Sequence, residues 1–153
     1  MDHLGITHGL NDNTLNEDFL KTQTNITQYY APFFGGVVLI GEEDTLIYFN
    51  ITKTNKELFE KYLFNNLKNF LSKYFSNVEV KRNDVLIDGK KVIGAASRGD
   101  NNFISFVMFA SFKDRTELLK KLVNKENGKT PGFIDPTILS KDIFEREVIS
   151  WLL

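Results

Sequence analysis

The feature that most constrains the fold is a pair of short apolar runs joined by a two-residue turn. The runs NDVLID and KKVIGAAS meet at Asp88-Gly89, and an Asp-Gly step between apolar runs is a strong β-hairpin signal. A hairpin pairs its strands antiparallel, so the sheet that contains it is at least partly antiparallel. A later run, FISFVMFASF, is almost continuously apolar, which predicts a strand covered on both faces.

Helical patterns surround these strands. The segment TNKELFEKYLFNNLKNFLSKYF predicts the clearest helix, which begins with a capping-box pair of Thr54 and Glu57. Apolar residues at steps of three and four mark its buried stripe: Phe59, Leu63, Leu67, Phe70 and Tyr74. NEDFLKTQ and DRTELLKKLVN are shorter candidates. In the last helix Ser140 is the expected N-cap, and the inner face carries Phe144, Val148 and Leu152.

The stretch GGVVLIGEEDTLIYFNI predicts two more strands, 37–40 and 45–51, joined by a tight acidic turn at 41–44. Strands in hairpins, with helices between and after them, predict an α+β fold: a mostly antiparallel sheet packed by helices. At 153 residues and 42% hydrophobic, the chain is long enough for a core, and we expect one domain over 1–153.

Charge and composition limit the function classes. The formal net charge of -1 gives no global attraction to nucleic acid or anionic membranes, and we expect neither as a partner. There are no Cys residues, which excludes disulfides and thiolate chemistry. No signal peptide or spanning segment is evident, so the sequence predicts a soluble, cytoplasmic protein. His3 and His8 lack companion ligands, and we interpret the N-terminus as a mobile segment rather than a metal site.

Basic residues gather around the predicted hairpin: Lys81, Arg82, Lys90, Lys91 and Arg98. Lys90 and Lys91 should lie opposite Ile87 and Leu86, and adjacent strand residues face opposite sides of a sheet. One of the two lysines must therefore point to the packed side, which is costly unless it meets an anion or a cleft. A solvated hairpin, with Asp84 or Asp88 as a surface partner, remains the alternative.

The stretch KRNDVLIDGKKVIGAASR resembles the core motif of the lipoate and biotin protein ligase family, particularly its lipoate branch. The residues that carry the resemblance stand in the expected order: Arg82, Asn83, Asp84, Asp88, Gly89, Lys90, Lys91 and Gly94. Weaker similarity continues along nearly all of the chain. The resemblance implies the α+β fold of that catalytic domain.

In such ligases a carboxylic acid reacts with ATP to give an acyl-adenylate, and the acyl group then passes to a lysine on a carrier domain. The resemblance implies that Lys91 is the catalytic lysine, set against the substrate carboxylate and the α-phosphate. It also implies that Asn83 and Asp84 hold Mg²⁺. The implied substrate and nucleotide contacts are Arg82, Asn83, Asp84, Gly94, Gly35 and Gly36.

The sequence departs from the family in the glycine-rich segment, YYAPFFGGVVLIG, where only Gly35 and Gly36 survive. The departures are Ala31 for an arginine, Phe33 and Phe34 for a small polar residue and the first glycine, and Ile40 for a histidine. Phenylalanine adopts positive φ only at a cost, and no Lys or Arg lies between Lys21 and Lys53. This composition is poor for a phosphate cradle.

Two functional hypotheses follow. The favoured one is a non-catalytic ligase-like module that keeps a carboxylate-binding or carrier-binding surface. The other is an active lipoate-type ligase, which alone would need ATP and Mg²⁺ and a carrier domain. The resemblance also implies a trimmed member, without the family's opening strand and helix and without an accessory C-terminal domain, so we expect a protein partner or self-association through the trimmed face. We interpret the aromatic residues Tyr29, Tyr30, Phe33 and Phe34 as filling the former nucleotide pocket, with a stacking platform as the alternative.

Overall fold

The computed structural model describes residues 3–8, 15–30, 37–52, 55–99, 103–123 and 130–153. The chain divides into two compact units. The first comprises Met1–Glu42 and Asp114–Lys129, and the second comprises Glu43–Lys113 and Thr130–Leu153. The single domain expected over 1–153 stays a prediction.

The first unit is built on a three-stranded sheet. Its elements are β1 (Leu4–His8), α1 (Glu17–Lys21), β2 (Ile26–Tyr30), β3 (Val38–Ile40) and, after the second unit's strands, α3 (Thr116–Leu122). The strand order is β2-β1-β3, with β1 parallel to β2 and antiparallel to β3. Its core residues are Leu4, Ile6, Leu15, Leu20, Leu39 and Leu122.

The N-terminal residues correct one expectation. Residues 4–8 form β1 in the middle of this sheet, so the interpretation of the N-terminus as a mobile segment is wrong. Leu4 and Ile6 alternate into the core, and the His3 Nε2 atom lies 2.7 Å from Thr27 Oγ1 on the neighbouring strand. A pairing with a strand some twenty positions away fixes this segment, and local sequence carries little signal for such a contact.

The second unit contains a five-stranded antiparallel sheet with two long helices. Its elements are β4 (Thr45–Thr52), α2 (Lys56–Leu71), β5 (Val78–Lys81), β6 (Asp84–Ile87), β7 (Lys90–Gly99), β8 (Phe103–Ala110) and α4 (Lys141–Leu152). The strand order is β4-β8-β7-β6-β5, and every neighbouring pair is antiparallel. The predicted α+β class, a mostly antiparallel sheet packed by helices, is confirmed.

The core of this unit is rich in phenylalanine, as the composition indicates. The ring of Phe49 stacks on Phe106 with centroids 5.0 Å apart, and Phe59 of α2 meets both rings edge-on. Phe112 and Phe144 form a further edge contact at 5.5 Å. Paired aromatic rings of this kind add stabilisation beyond the area they bury.

Two local predictions need correction, one about the start of a helix and one about the pairing of two strands. The N-cap of α2 is Asn55, whose side chain accepts hydrogen bonds from the N–H groups of Glu57 and Leu58; Thr54, the predicted cap, lies outside the described residues. The strands predicted at 37–40 and 45–51 both exist, but β3 pairs with β1 whereas β4 pairs with β8, so they belong to different sheets. By contrast, the Ser140 cap of α4 is confirmed by its bond to the Ile143 N–H.

None of the helices in the described part of the chain combines the length and the apolarity that a bilayer-spanning segment requires.

The buried stripe of α2 gives a test of the packing. Leu67 is fully buried in the core of the second unit, whereas Leu58 on the same helix is 67% exposed. Leu67→Ala should lower the free energy of unfolding by about 2–5 kcal/mol, because it removes apolar contacts and leaves a cavity. Leu58→Ala, the matched control, should change it by less than about 0.5 kcal/mol. Urea unfolding of both variants measures the difference, and equal effects would contradict the described packing.

Candidate functional site

The basic hairpin forms as its sequence predicts. Lys90 lies opposite Ile87 and Lys91 lies opposite Leu86. Asp88 has φ 52° and Gly89 has φ 76°, and two left-handed residues in a two-residue loop match the twist of antiparallel strands. The hairpin and its Asp-Gly turn are therefore confirmed by the structure.

A β-bulge inside the hairpin rearranges its faces. Val85 lies opposite Ile93 while the next residue, Leu86, lies opposite Lys91, so Val92 is the extra residue. Regular alternation would place Lys91 and Gly94, three positions apart, on opposite faces. Because Val92 adds one residue, both lie on the same face of the sheet, where Gly94 is paired with Asp84.

This shared face brings a lysine onto a buried carboxylate. The Nζ atom of Lys91 lies 3.1 Å from Oδ1 of Asp84, whose side chain is only 8% exposed, whereas that of Lys91 is 37% exposed. A Cβ atom at Gly94 would lie 2.8 Å from Cε and 3.0 Å from Nζ of Lys91. The end of the lysine therefore crosses directly over Gly94, in space that only glycine leaves open. One face of the ammonium meets Asp84 and part of it remains open to solvent.

A second segment fixes the backbone of Lys91. The Lys91 N–H donates to the Thr130 carbonyl at 2.9 Å, and the Gly132 N–H donates to the Lys91 carbonyl at 2.8 Å. A Cβ atom at Gly132 would lie 2.7 Å from Cβ of Lys90, so this close approach also needs a glycine. Gly132 is not among the site residues predicted from the sequence. The Pro131-Gly132 step was its only local signal.

The other predicted hairpin residues serve the turn before β6. Arg82, with φ 53°, and Asn83 form the two-residue connection between β5 and β6, so the strand begins at Asp84 rather than at Asn83. The Asn83 carbonyl accepts from the Ala95 N–H at 3.0 Å, which ties this turn to β7. Arg82, Lys90 and Arg98 are exposed. Of the five basic residues around the hairpin, Lys91 is the one whose ammonium lies against a buried carboxylate.

The donor set for Mg²⁺ is small. Within the described ranges there is no group of three or more His, Cys, Asp and Glu side chains that could hold a metal ion. Asp84 offers one buried carboxylate, beside the half-buried Asn83. One carboxylate and one amide suit Mg²⁺ only when substrate phosphates supply further oxygens, which is the usual way Mg²⁺ binds with nucleotides.

Most of the glycine-rich segment lies outside the described residues. This applies to Ala31, Phe33, Phe34, Gly35 and Gly36, and the predictions about them stay predictions.

The described neighbours of that segment are placed as follows. Ile40 is half-buried in β3 opposite Gly5. Tyr29 is exposed, and a Cβ atom on Gly5 would lie 3.2 Å from its ring, so the expectation that Tyr29 fills a core is wrong. Its ring instead covers the glycine of the adjacent strand.

Comparison with known proteins rests on structure alone. No protein-family model and no curated protein matches this sequence. Among solved structures, the chain is similar to the bi-partite lipoate protein ligase of Thermoplasma acidophilum, with TM-score 0.77, 14% identity, and coverage of 97% of this chain and 66% of that one. It is similar to P. falciparum LipL1 in complex with lipoate, with TM-score 0.77, 16% identity, and coverage of 98% and 44%.

A third similar structure is lipoate-protein ligase A bound with ATP, with TM-score 0.75, 14% identity, and coverage of 97% of this chain and 67% of that one. The chain thus spans about two thirds or less of the length of these proteins. The fold is that of the lipoate and biotin protein ligase catalytic domain, as the hairpin motif predicts.

Gly94 offers a direct test of the site geometry. In Gly94→Ala the new methyl group takes the space of the Lys91 chain end, so the ammonium is displaced and the buried carboxylate of Asp84 loses this ion pair. The free energy of unfolding should fall by about 1–3 kcal/mol. In a Lys91→Ala background the same substitution should cost far less, because no side chain remains to be displaced. Urea unfolding of the four proteins gives the coupling, and an equal cost in both backgrounds would contradict the geometry.

Proposed function

We propose that this protein is a non-catalytic module of the lipoate-ligase fold that binds a carboxylic acid at Lys91. The observation that carries the proposal is the Lys91 ammonium held over Gly94 and against the buried Asp84, on a side chain that is 37% exposed. A cation fixed in this way needs no rearrangement to accept a carboxylate, and a preorganised donor loses little entropy on binding.

The remaining hydrogen-bonding capacity of Lys91 supports the choice of ligand. An ammonium group has three N–H donors, and the Asp84 carboxylate lies against one side of it at 3.1 Å. The others can donate to an incoming carboxylate. On the same face β7 presents small residues, Gly94 and then Ala96, with Phe109 and Val107 opposite them on β8. An acyl chain could lie along this apolar path once its carboxylate is on Lys91.

The proposal that the module is non-catalytic rests on the residue types of the glycine-rich segment. Adenylation needs a site for three phosphates, and such sites are made of exposed backbone N–H groups with nearby cations. The sequence has Phe33, Phe34 and Ala31 where the family pattern has a small polar residue, a glycine and an arginine. It has no Lys or Arg from 22 to 52. We therefore propose that the module works in the cytoplasm through contacts with a protein partner rather than by turnover.

A second candidate function is formation of an acyl-adenylate and transfer of the acyl group to a carrier lysine. The intact arrangement of Lys91, Asp84 and Gly94 favours it, because a fixed cation beside the reacting carboxylate is what adenylation requires. The similar structures include complexes with lipoate and with ATP, and one ligase described with its E2 lipoyl domain. On this account Asn83 and Asp84 hold Mg²⁺ with ATP, and the partner is a carrier domain.

One experiment separates the two candidates. Lipoic acid, octanoic acid and biotin are each titrated into the purified protein, and binding is measured by calorimetry. The protein is then mixed with each acid and Mg-ATP, and the mixture is examined for acyl-adenylate by mass spectrometry. We expect at least one acid to bind and no adenylate to form. Lys91→Ala should weaken acid binding about 10- to 100-fold, the value of one charge-assisted hydrogen bond, whereas the exposed neighbour Lys90→Ala should bind normally.

The other outcomes are decisive as well. Adenylate that disappears in Lys91→Ala would establish the second candidate and overturn the non-catalytic one. Failure of all three acids to bind, or binding that Lys91→Ala leaves unchanged, would overturn both.

A further inference from the structure

The two edges of the five-stranded sheet differ sharply in their protection. The edge strand β5 has four residues, two of which are Glu79 and Lys81, and it is followed directly by the left-handed Arg82. The opposite edge strand, β4, has eight residues, TLIYFNIT, with no charge, proline or glycine. Its register with β8 runs from Thr45 to Thr52 without a bulge. Short length, charge, proline and bulges are devices within a strand that keep a sheet edge from pairing. The strand β4 has none of them, and no other described strand pairs with its outer edge.

The side chains of β4 present apolar surface on both faces of the sheet. On one face Leu46 is 50% exposed and Tyr48 is 55% exposed. On the other face Ile47 and Phe49 are half-buried against the core, and Ile51 is half-buried. A strand laid beside β4 would therefore cover apolar groups on both faces while pairing with the backbone of the edge.

We propose that a second copy of this chain pairs with β4 through its own β4, antiparallel about a two-fold axis, so that the two sheets become continuous. Pairing of an uncharged strand with itself places no like charges opposite each other. A two-fold pairing of this kind is closed, because each copy uses the same edge and no further copy can add to it. This proposal does not depend on acid binding at Lys91.

The alternation of side chains restricts the register. In a continuous sheet, residues opposite each other must lie on the same face, so the centre of the pairing falls on a residue and not between two. Centring on Phe49 would bring together two rings, each of which is already stacked on Phe106 at 5.0 Å. Centring on Tyr48 sets Tyr48 opposite the partner's Tyr48, on the face that carries Leu46. It also sets Ile47 opposite the partner's Phe49 on the packed face.

The central tyrosine is already held in place. The Tyr48 hydroxyl lies 3.2 Å from Asn50 Oδ1 and 3.3 Å from Ser105 Oγ, and the Ser105 hydroxyl donates to Asn50 Oδ1 at 2.8 Å. These bonds restrain an exposed aromatic side chain before any partner arrives. The entropy that association must overcome at this position is correspondingly smaller.

The test is the association state of the full chain, measured by sedimentation equilibrium across the micromolar range. We expect a monomer–dimer equilibrium, with amide exchange in β4 slowing as concentration rises while exchange in β5 does not change. Tyr48→Lys puts two ammonium groups opposite each other and should weaken dimerisation at least about tenfold. Leu58→Lys, an equally severe change on the exposed face of α2, should dimerise like the wild type. Circular dichroism verifies that both variants are folded.

Three results would overturn the proposal. The first is a wild-type chain that stays monomeric at tens of micromolar. The second is a dimer that Tyr48→Lys leaves intact. The third is a monomeric chain whose β4 amides become protected only when another protein's extended segment is added.

Discussion

The contact on which the site depends is the pair of Lys91 and Asp84 above Gly94. A buried carboxylate is costly unless a cation or hydrogen-bond donors accompany it, and Lys91 supplies a cation at 3.1 Å. The pair exists only because the bulge at Val92 turns Lys91 to the face of Asp84, and because Gly94 has no side chain in the way. Segment 130–132 then holds the lysine backbone from the other side. The position of the Lys91 ammonium therefore depends on the bulge at Val92, on Gly94 and on segment 130–132 together.

Features that depend on contacts between residues close together in the sequence could be predicted, whereas features that depend on contacts between distant segments could not. The Asp88-Gly89 hairpin and the cap of α4 at Ser140 depend on neighbours a few positions away, and both are confirmed. The buried stripe of α2 is confirmed at Leu63, Leu67 and Phe70, and Phe59 is partly buried, but Tyr74 is exposed and lies beyond the end of the helix at Leu71, so that part of the prediction is wrong. The bulge at Val92 and the contact of Gly132 with Lys90 depend on strands and segments that meet only in the fold. The parallel pairing of β1 with β2 was missed for the same reason, and so was the division of β3 and β4 between two sheets.

The proposed functions divide the candidate site into residues that would bind a carboxylate and residues that would bind phosphates. The first set, Lys91, Asp84 and Gly94, lies within the second compact unit and among the described residues, and its role in binding stays a proposal. The second set is argued only from the sequence of residues 31–36, which includes Phe33 and Phe34. A fold shared with lipoate ligases is compatible both with a non-catalytic acid-binding module and with an active ligase. One fold supports many functions, and the residues of the site decide among them. Binding of an acid and its activation by ATP are therefore distinct properties of such a site.

The most direct test of the central claim is a crystal structure of the protein grown with octanoic acid. The account predicts a carboxylate oxygen in hydrogen-bond contact with Nζ of Lys91, with the lysine still crossing Gly94 and Asp84 still beside it. A structure in which the Lys91 ammonium points away from Asp84, or in which the acid binds at a different place, would contradict it.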